Sequence, residues 1–407
     1  MTTATAPTGT FRSFAGFNYR VWAGGALVSN IGTWMQRTAQ DWVVLTQLTH
    51  NNATVVGVVM ALQFGPQVLL LPLTGYAADT LDRRRLLMAT QATMGALALG
   101  LGLLTVTGTV RLWHVYVFAL LLGCVAAFDA PARQTFVAEL VAGPNLSNAV
   151  ALNSTSFNLA RTIGPAIAGL LIAGIGSGWV FLLNAATFGA VLLSLRTLRV
   201  AELHPVVRAP RARGGLVEGF KYVWSRPDIK AMLVILFLIG TFGLNFPIYI
   251  STMSVTVFHE GPGEFGLLTS ALAIGSVMGA LLSARRASPR VGLLAVGATL
   301  FAVGCALAAI APTYWVFAPV LTLVGVASQT ITTTANGAVQ MATDPALRGR
   351  VMAILMAILM GGTPIGAPIV GWVADAFGAR WAMGVGALAG LAAACVGVHH
   401  VVKRRRS

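Results

Sequence analysis

The side chains able to do chemistry in this sequence are few, and several lie inside long apolar runs. Asn30, Trp34, Arg37 and Asp41 follow spacings of four, three and four, one face of a helix, with Gln36 and Gln40 beside it. A second polar stripe holds Gln329, Thr332, Thr333, Asn336 and Gln340. Asn158 and Arg161 form a third polar pair, three residues apart, deep in another apolar run. A charge at the centre of a membrane helix costs about 2.5–3.5 kcal/mol on insertion scales, so each needs a partner or a purpose. Lipid cannot satisfy such groups, and both stripes are expected to face a watery cavity. Arg161 has two open readings: a contact for an anionic substrate, or the partner of an acid such as Asp129 or Asp41. Asp41 shares its face with Arg37, and as a titratable group among few acids it is the leading candidate to carry a proton. Aromatic Trp34, Trp42 and Phe64 suggest a large, partly apolar substrate.

Other chemistries lack their parts. His399-His400 falls beside the basic tail with no acid cluster expected to face it, and no nucleophile–base pair stands out, so the chain is not read as an enzyme. There is no Gly-x4-Gly-Lys-Ser/Thr sequence for ATP, and no cofactor or metal is expected. Cys124, Cys305 and Cys395 all lie in apolar stretches and read as packing residues rather than a disulfide framework.

The elements that hold these residues follow from composition. Of 407 residues, 56% are hydrophobic and only 10% charged, too little charge to coat a soluble surface of this size. Helices of about 20 residues cross a bilayer core. Twelve spans are predicted, near 20–46, 55–78, 86–108, 113–132, 146–174, 179–195, 231–257, 264–284, 290–311, 314–337, 350–374 and 381–402. The polar first 17 residues carry no apolar signal region, so no cleavage is expected. With the N-terminus inside, 23 of the 27 Lys and Arg fall in cytoplasmic segments. Only Arg111 and Arg380 fall outside, with Arg37 and Arg161 in spans. This bias places both termini in the cytoplasm of a cell (inner or plasma) membrane. It also makes the net charge of +15 a matter of lipid contact rather than nucleic acid.

The longest connection, residues 196–230, divides the chain into an N-terminal six-helix bundle (1–195), a linker and a C-terminal six-helix bundle (231–407). Within the linker, Leu216, Phe220, Val223 and Trp224 share one face and predict a short amphipathic helix at the inner interface. A shift of 202 residues pairs Gly164 with Gly366, Gly169 with Gly371, Gly176 with Gly378 and Trp179 with Trp381. Parallel repeats of this kind, with a site between them near the midplane, are a transporter design.

Three segments carry a family resemblance. After span 2 the chain reads Gly75-Tyr-Ala-Ala-Asp79-Thr-Leu-Asp82-Arg83-Arg84-Arg85, which resembles motif A of the major facilitator superfamily, with Asp82 at the usual second Gly position. Gly75 there would permit close helix packing. Gly164-Pro165-Ala-Ile-Ala-Gly169 in span 5 resembles motif C of the superfamily's exporters, where loss of a backbone hydrogen bond and of side-chain bulk lets the helix kink and pack closely. Phe128-Asp129-Ala-Pro131-Ala-Arg133-Gln134, Asn30-Ile-Gly-Thr-Trp34 and Arg348-Gly-Arg350 look like the branch of siderophore exporters and multidrug efflux proteins. The second half lacks a good motif A copy: Ser283-Ala-Arg285-Arg286 has no acid nearby.

The resemblance implies an all-α membrane protein of the major facilitator fold, with spans 1, 4, 7 and 10 lining a central path. It implies an inner gate in which Asp79 caps span 11 near Arg350 while an arginine of the 83–85 cluster bridges to Asp129, beside Arg133. The expected function is secondary transport, proton-coupled export of a hydrophobic or amphiphilic small molecule. Uptake symport is the rival for direction, and a sensor or scaffold without transport the rival of another class.

Overall fold

The computed structural model describes residues 9–204, 215–284, 291–344 and 347–406. Within these ranges the side chains of Pro72, Ala78, Asp79, Leu216, Ala284 and Arg404 to Arg406 lie outside the described set. The basic residues Arg208, Arg211, Arg213, Arg285, Arg286 and Arg290 fall outside it altogether.

The described residues are helical almost throughout, with no strand among them. The helices are α1 (Phe17–Val43), α2 (Ala53–Leu69), α3 (Leu71–Thr80), α4 (Arg83–Val106), α5 (Leu112–Leu140), α6 (Leu146–Ile175), α7 (Ser177–Thr197), α8 (Gly215–Ser225), α9 (Pro227–Leu238), α10 (Phe246–Thr252), α11 (Pro262–Ala284), α12 (Val291–Ile310), α13 (Tyr314–Ala342), α14 (Arg348–Phe377) and α15 (Ala379–Arg406). Among the described residues, ten helical stretches are long and apolar enough to cross a membrane. Helix α1 is long enough but carries the polar face. Helix α2 is apolar but only 17 residues long.

Two expected spans are interrupted. The second breaks at Leu70, between Pro66 and Pro72, into α2 and α3. Proline removes a donor and crowds the preceding turn, which explains the break. The seventh passes from α9 through a wide turn at Ile239–Gly243 to α10 and a second wide turn at Met253–Val257. Pro247 supplies no N–H here, and side chains make up the loss. Asn245 Nδ2 donates to the Thr241 carbonyl at 2.7 Å, and the Tyr249 hydroxyl donates to the Phe242 carbonyl. At the membrane's depth such repairs are required. Helix α4 begins at Asp82, whose Oδ1 accepts the Arg85 N–H at 2.7 Å. The acid in the motif's glycine position is thus a helix N-cap.

The repeat is in register. Helices α5, α6, α13 and α14 begin and end 202 residues apart, pair by pair, and α7 and α15 start at the same offset. Gly176 and Gly378 close α6 and α14 with φ of 85° and 100°, a conformation that glycine adopts without a Cβ penalty.

The helices group into two compact units. One comprises Met1–Gln40 and Leu69–Pro210; the other comprises Asp41–Val68 and Arg211–Ser407. In the first, Tyr19, Trp22, Leu87, Phe136 and Leu195 form a core, and the Tyr19 hydroxyl donates to the Ala149 carbonyl at 3.0 Å. In the second, α11 and α13 approach backbone to backbone. A Cβ on Gly275 would stand 2.0 Å from the Thr322 carbonyl oxygen. Residues 215–225 form α8, with Val223 buried and Val217, Phe220 and Trp224 exposed; the side chain of Leu216, on the expected face, lies outside the described set.

Candidate functional site

The first unit buries a connected polar network. Asp129 of α5 accepts from Arg133 Nη2 at 2.9 Å, from Thr90 Oγ1 at 2.7 Å and from Gln91 Nε2 at 2.7 Å. Arg133 Nη1 donates to Asn30 Oδ1 of α1 at 2.7 Å, and Ser29 Oγ donates to Gln91 Oε1 at 3.1 Å. Asp129 is 5% exposed and Asn30 6%. A buried charge is tolerated only when paired and hydrogen-bonded. The network therefore ties α1, α4 and α5 into one body.

This arrangement changes three expectations. Asn30 does not face an open cavity; it is bound inside the network. Gln36 is bound too, outside that network: its Oε1 accepts from Asn184 Nδ2 of α7 at 2.6 Å. The partner of Asp129 is Arg133, one turn along its own helix, whereas Arg83 binds Glu139 at 2.7 Å. Arg84 Nε donates to the Leu195 carbonyl at 2.8 Å. Gly75 has open space where a Cβ would stand, so it serves no tight contact. The expected cap by Asp79 falls on a side chain outside the described residues.

One face of the first unit is less closed. Trp34 and Phe157 meet edge to face at 6.2 Å, and Arg37 lies over the Trp34 ring at 4.9 Å. Phe157 is 42% exposed, Asn158 is exposed, and Arg161 is half-buried. Among the described residues Arg161 makes no ion pair or hydrogen bond, and Asp129 is already engaged. Gly164 explains how α6 reaches α1: a Cβ there would stand 2.6 Å from the Trp34 Cβ. Pro165 and buried Gly169 follow in the same helix.

In the second unit, the α13 stripe is half open. Gln329 and Asn336 are half-buried and Thr333 is exposed, with Gln329 Nε2 donating to Thr333 Oγ1 at 3.2 Å. Asp41 is 6% exposed. Sequence reasoning missed the buried polar residues around the two wide turns, Thr241, Asn245, Ser251, Thr252 and Ser254. Gly240, Gly243 and Pro247 were the available signal. It also missed that Glu218 of α8 binds Arg350 at 2.6 Å, and that His400 Nε2 meets Asp228 Oδ1 at 2.6 Å, so an acid does face that histidine. No cluster of metal-ligating side chains occurs among the described residues.

Residues 8–407 match the family described as transmembrane secretion effector. Over 372 residues the chain is 30% identical to the multidrug efflux pump Tap of Mycolicibacterium fortuitum, covering 87% of this chain and 88% of that one. It is 27% identical over 353 residues to the staphyloferrin A transporter of Staphylococcus aureus, covering 86% and 87%. Its structure is similar to a bacterial homologue of the human lysosomal transporter Spinster in an inward-facing, occupied conformation. That likeness has a TM-score of 0.75 at 14% identity over 97% of this chain and 98% of the other, and it shows the fold alone. The family match spans both units and every polar face described above. The chain belongs to the transmembrane secretion effector family of the major facilitator superfamily, and is a multi-pass membrane transporter.

Proposed function

We propose that the protein exports a hydrophobic or amphiphilic small molecule from the cytoplasm, driven by protons. The observation that carries this reading is Arg161. It is a cation about 22 Å along α6 at 1.5 Å per residue, open on one side and unpaired among the described residues, with the Phe157–Trp34 aromatic pair one turn away. A ring pair beside a guanidinium suits an amphiphile with an acidic or strongly accepting group. Two relatives, one named a multidrug efflux pump and the other a staphyloferrin A transporter, support a small-molecule cargo, and the first supports outward movement. The cargo crosses unchanged, since nothing in the polar faces combines a nucleophile with a base.

The chain has two six-helix halves, 1–195 and 231–407, joined by the 196–230 linker, with twelve spans and both termini in the cytoplasm of the plasma membrane. The α8 face of Val217, Phe220 and Trp224 lies on lipid. Asp79, the arginines 83–85 and Arg350 work at the inner gate, and the Asp129–Arg133 pair holds the first unit rigid behind it. Asp41 carries the proton. Dye efflux from inverted and right-side-out vesicles tests direction. Proteoliposomes carrying Asp41→Asn test coupling: a mutant that keeps full gradient-driven transport removes Asp41 from the mechanism, and wild type indifferent to the gradient removes the proton.

A further inference from the structure

At the end of the spans opposite the basic loops, the second unit contains a joint that the sequence did not disclose. The first amides of a helix have no partner within it. Here α2 obtains its partner from a residue 322 positions away. Asp375, near the end of α14, accepts the Ala53 N–H through Oδ1 at 2.7 Å. Its Oδ2 accepts the Thr54 N–H at 2.7 Å and the Thr54 hydroxyl at 2.5 Å.

Beside this cap the two helices run antiparallel and touch through backbone. A Cβ on Gly371 would lie 2.4 Å from the Ala53 carbonyl oxygen, and one on Gly57 would lie 2.4 Å from the Ala367 carbonyl oxygen. Ala53 and Gly57 are four apart, as are Ala367 and Gly371, the small-residue spacing that lets membrane helices approach. At these two points backbone meets backbone with no side chain between, so the helices can part there without side chains having to disengage.

A cavity of about 650 Å³ adjoins it, lined among others by Asn51, Asn52, Asp375, Arg380 and Trp381. Asp375 is exposed, so water reaches its carboxylate. The other charged or titratable groups lining the cavity are His50, before α2, and Arg380, whose Nη1 is held by the Ala309 and Ala311 carbonyls at 2.8 Å. His259 and Glu260 follow the Met253–Val257 turn and do not line it.

We propose that Asp375 is the latch that closes the outer end of the transporter, and that a proton arriving from this cavity releases it. The proton passes from water to a carboxylate oxygen. That oxygen then becomes a donor, its hydrogen bond from α2 is lost, and the negative charge favoured at a helix N-terminus disappears. Nothing else is made or broken. The proposal rests on the export reading: an exporter must open its outer end to discharge cargo, and in a proton-driven one that is the side from which protons arrive.

The test is a distance measurement that involves no cargo. In a variant with Cys124, Cys305 and Cys395 replaced, spin labels go on Gln47→Cys and Trp381→Cys, in lipid nanodiscs at mildly alkaline and mildly acidic pH. The expected wild-type result is a longer-distance population that grows on acidification. Asp375→Asn shows that population at both pH values, with about a fivefold rise in the open-to-closed ratio, the weight of one negative charge at a helix N-terminus. Thr54→Ala moves the ratio the same way by less, and serves if Asp375→Asn does not fold. His50→Gln keeps the wild-type response. Wild-type distances and pH response in Asp375→Asn, or in Thr54→Ala where the first does not fold, overturn the latch, as does loss of the response in His50→Gln. Failure of efflux in vesicles with these distances as expected overturns the export reading and leaves the latch standing.

Discussion

The polar network of the first unit and the α2–α14 seam of the second are both buried helix junctions, built in opposite ways. The network joins α1, α4 and α5 through Asn30, Gln91, Asp129 and Arg133, each committed to at least one partner. The seam joins backbone to backbone, with a single carboxylate at its rim. A buried charge network has one good arrangement, because any displacement leaves a desolvated ion unpaired. A smooth seam holds by contact alone and loses little beyond dispersion when it opens. Rigidity and movement are thus written in different residue types: ions for the body that stays whole, glycine and alanine for the joint that parts.

The comparison breaks most sharply through volume. Gly366→Leu has the largest expected effect, because a Cβ there would lie 1.6 Å from the Thr241 carbonyl oxygen. No folded protein is expected in size-exclusion chromatography after membrane extraction; a monodisperse peak at wild-type yield would contradict the packing. Next comes Asp129→Ala, which strands Arg133 and should destabilise by about 3–5 kcal/mol. Thermal unfolding in detergent reads this, and Asp129→Ala combined with Arg133→Met should recover a good part of the loss. If the double variant is less stable than the single, the network is not a charge pair at heart.

Gly164→Leu should leave protein in the membrane but abolish efflux, by forcing α6 off α1 at Trp34. Unchanged efflux would show that the motif C resemblance has no bearing on transport. Arg161→Gln should lower export of an acidic dye about tenfold, the effect of one lost charge-assisted hydrogen bond, and leave a neutral analogue near wild type. Equal loss for both dyes would make Arg161 structural. Smallest of all, Gly75→Ala should be close to neutral in both yield and efflux, since nothing stands within 4 Å of the added methyl. A severe phenotype there would mean that Gly75 meets a partner in another state of the cycle.

Much of this molecule was legible in its sequence. The apolar runs fixed the helices, because lipid leaves the backbone no other way to satisfy itself. The 202-residue echo predicted a repeat that the helix bounds then matched residue for residue at α5, α6, α13 and α14. Arg161 was found by its cost alone: a cation amid Leu, Ile and Ala is conspicuous wherever its side chain points. Helix periodicity likewise exposed the α13 stripe.

What the tertiary structure decided was pairing. Periodicity places Asn30, Trp34, Arg37 and Asp41 on one face of α1, yet says nothing of which neighbour each meets. Only the packing turned Asn30 inward to Arg133 and left Trp34 against Phe157. The motif suggested an arginine of the 83–85 cluster for Asp129, and the fold supplied Arg133 instead, because a residue one turn away on the same helix is always within reach. By its position near the outer end of span 11, Asp375 reads from the sequence as an interfacial cap, but of no particular helix. Its partners, Ala53 and Thr54, are 322 and 321 residues distant, and a hydrogen bond between such positions exists only once the chain has brought two helices together.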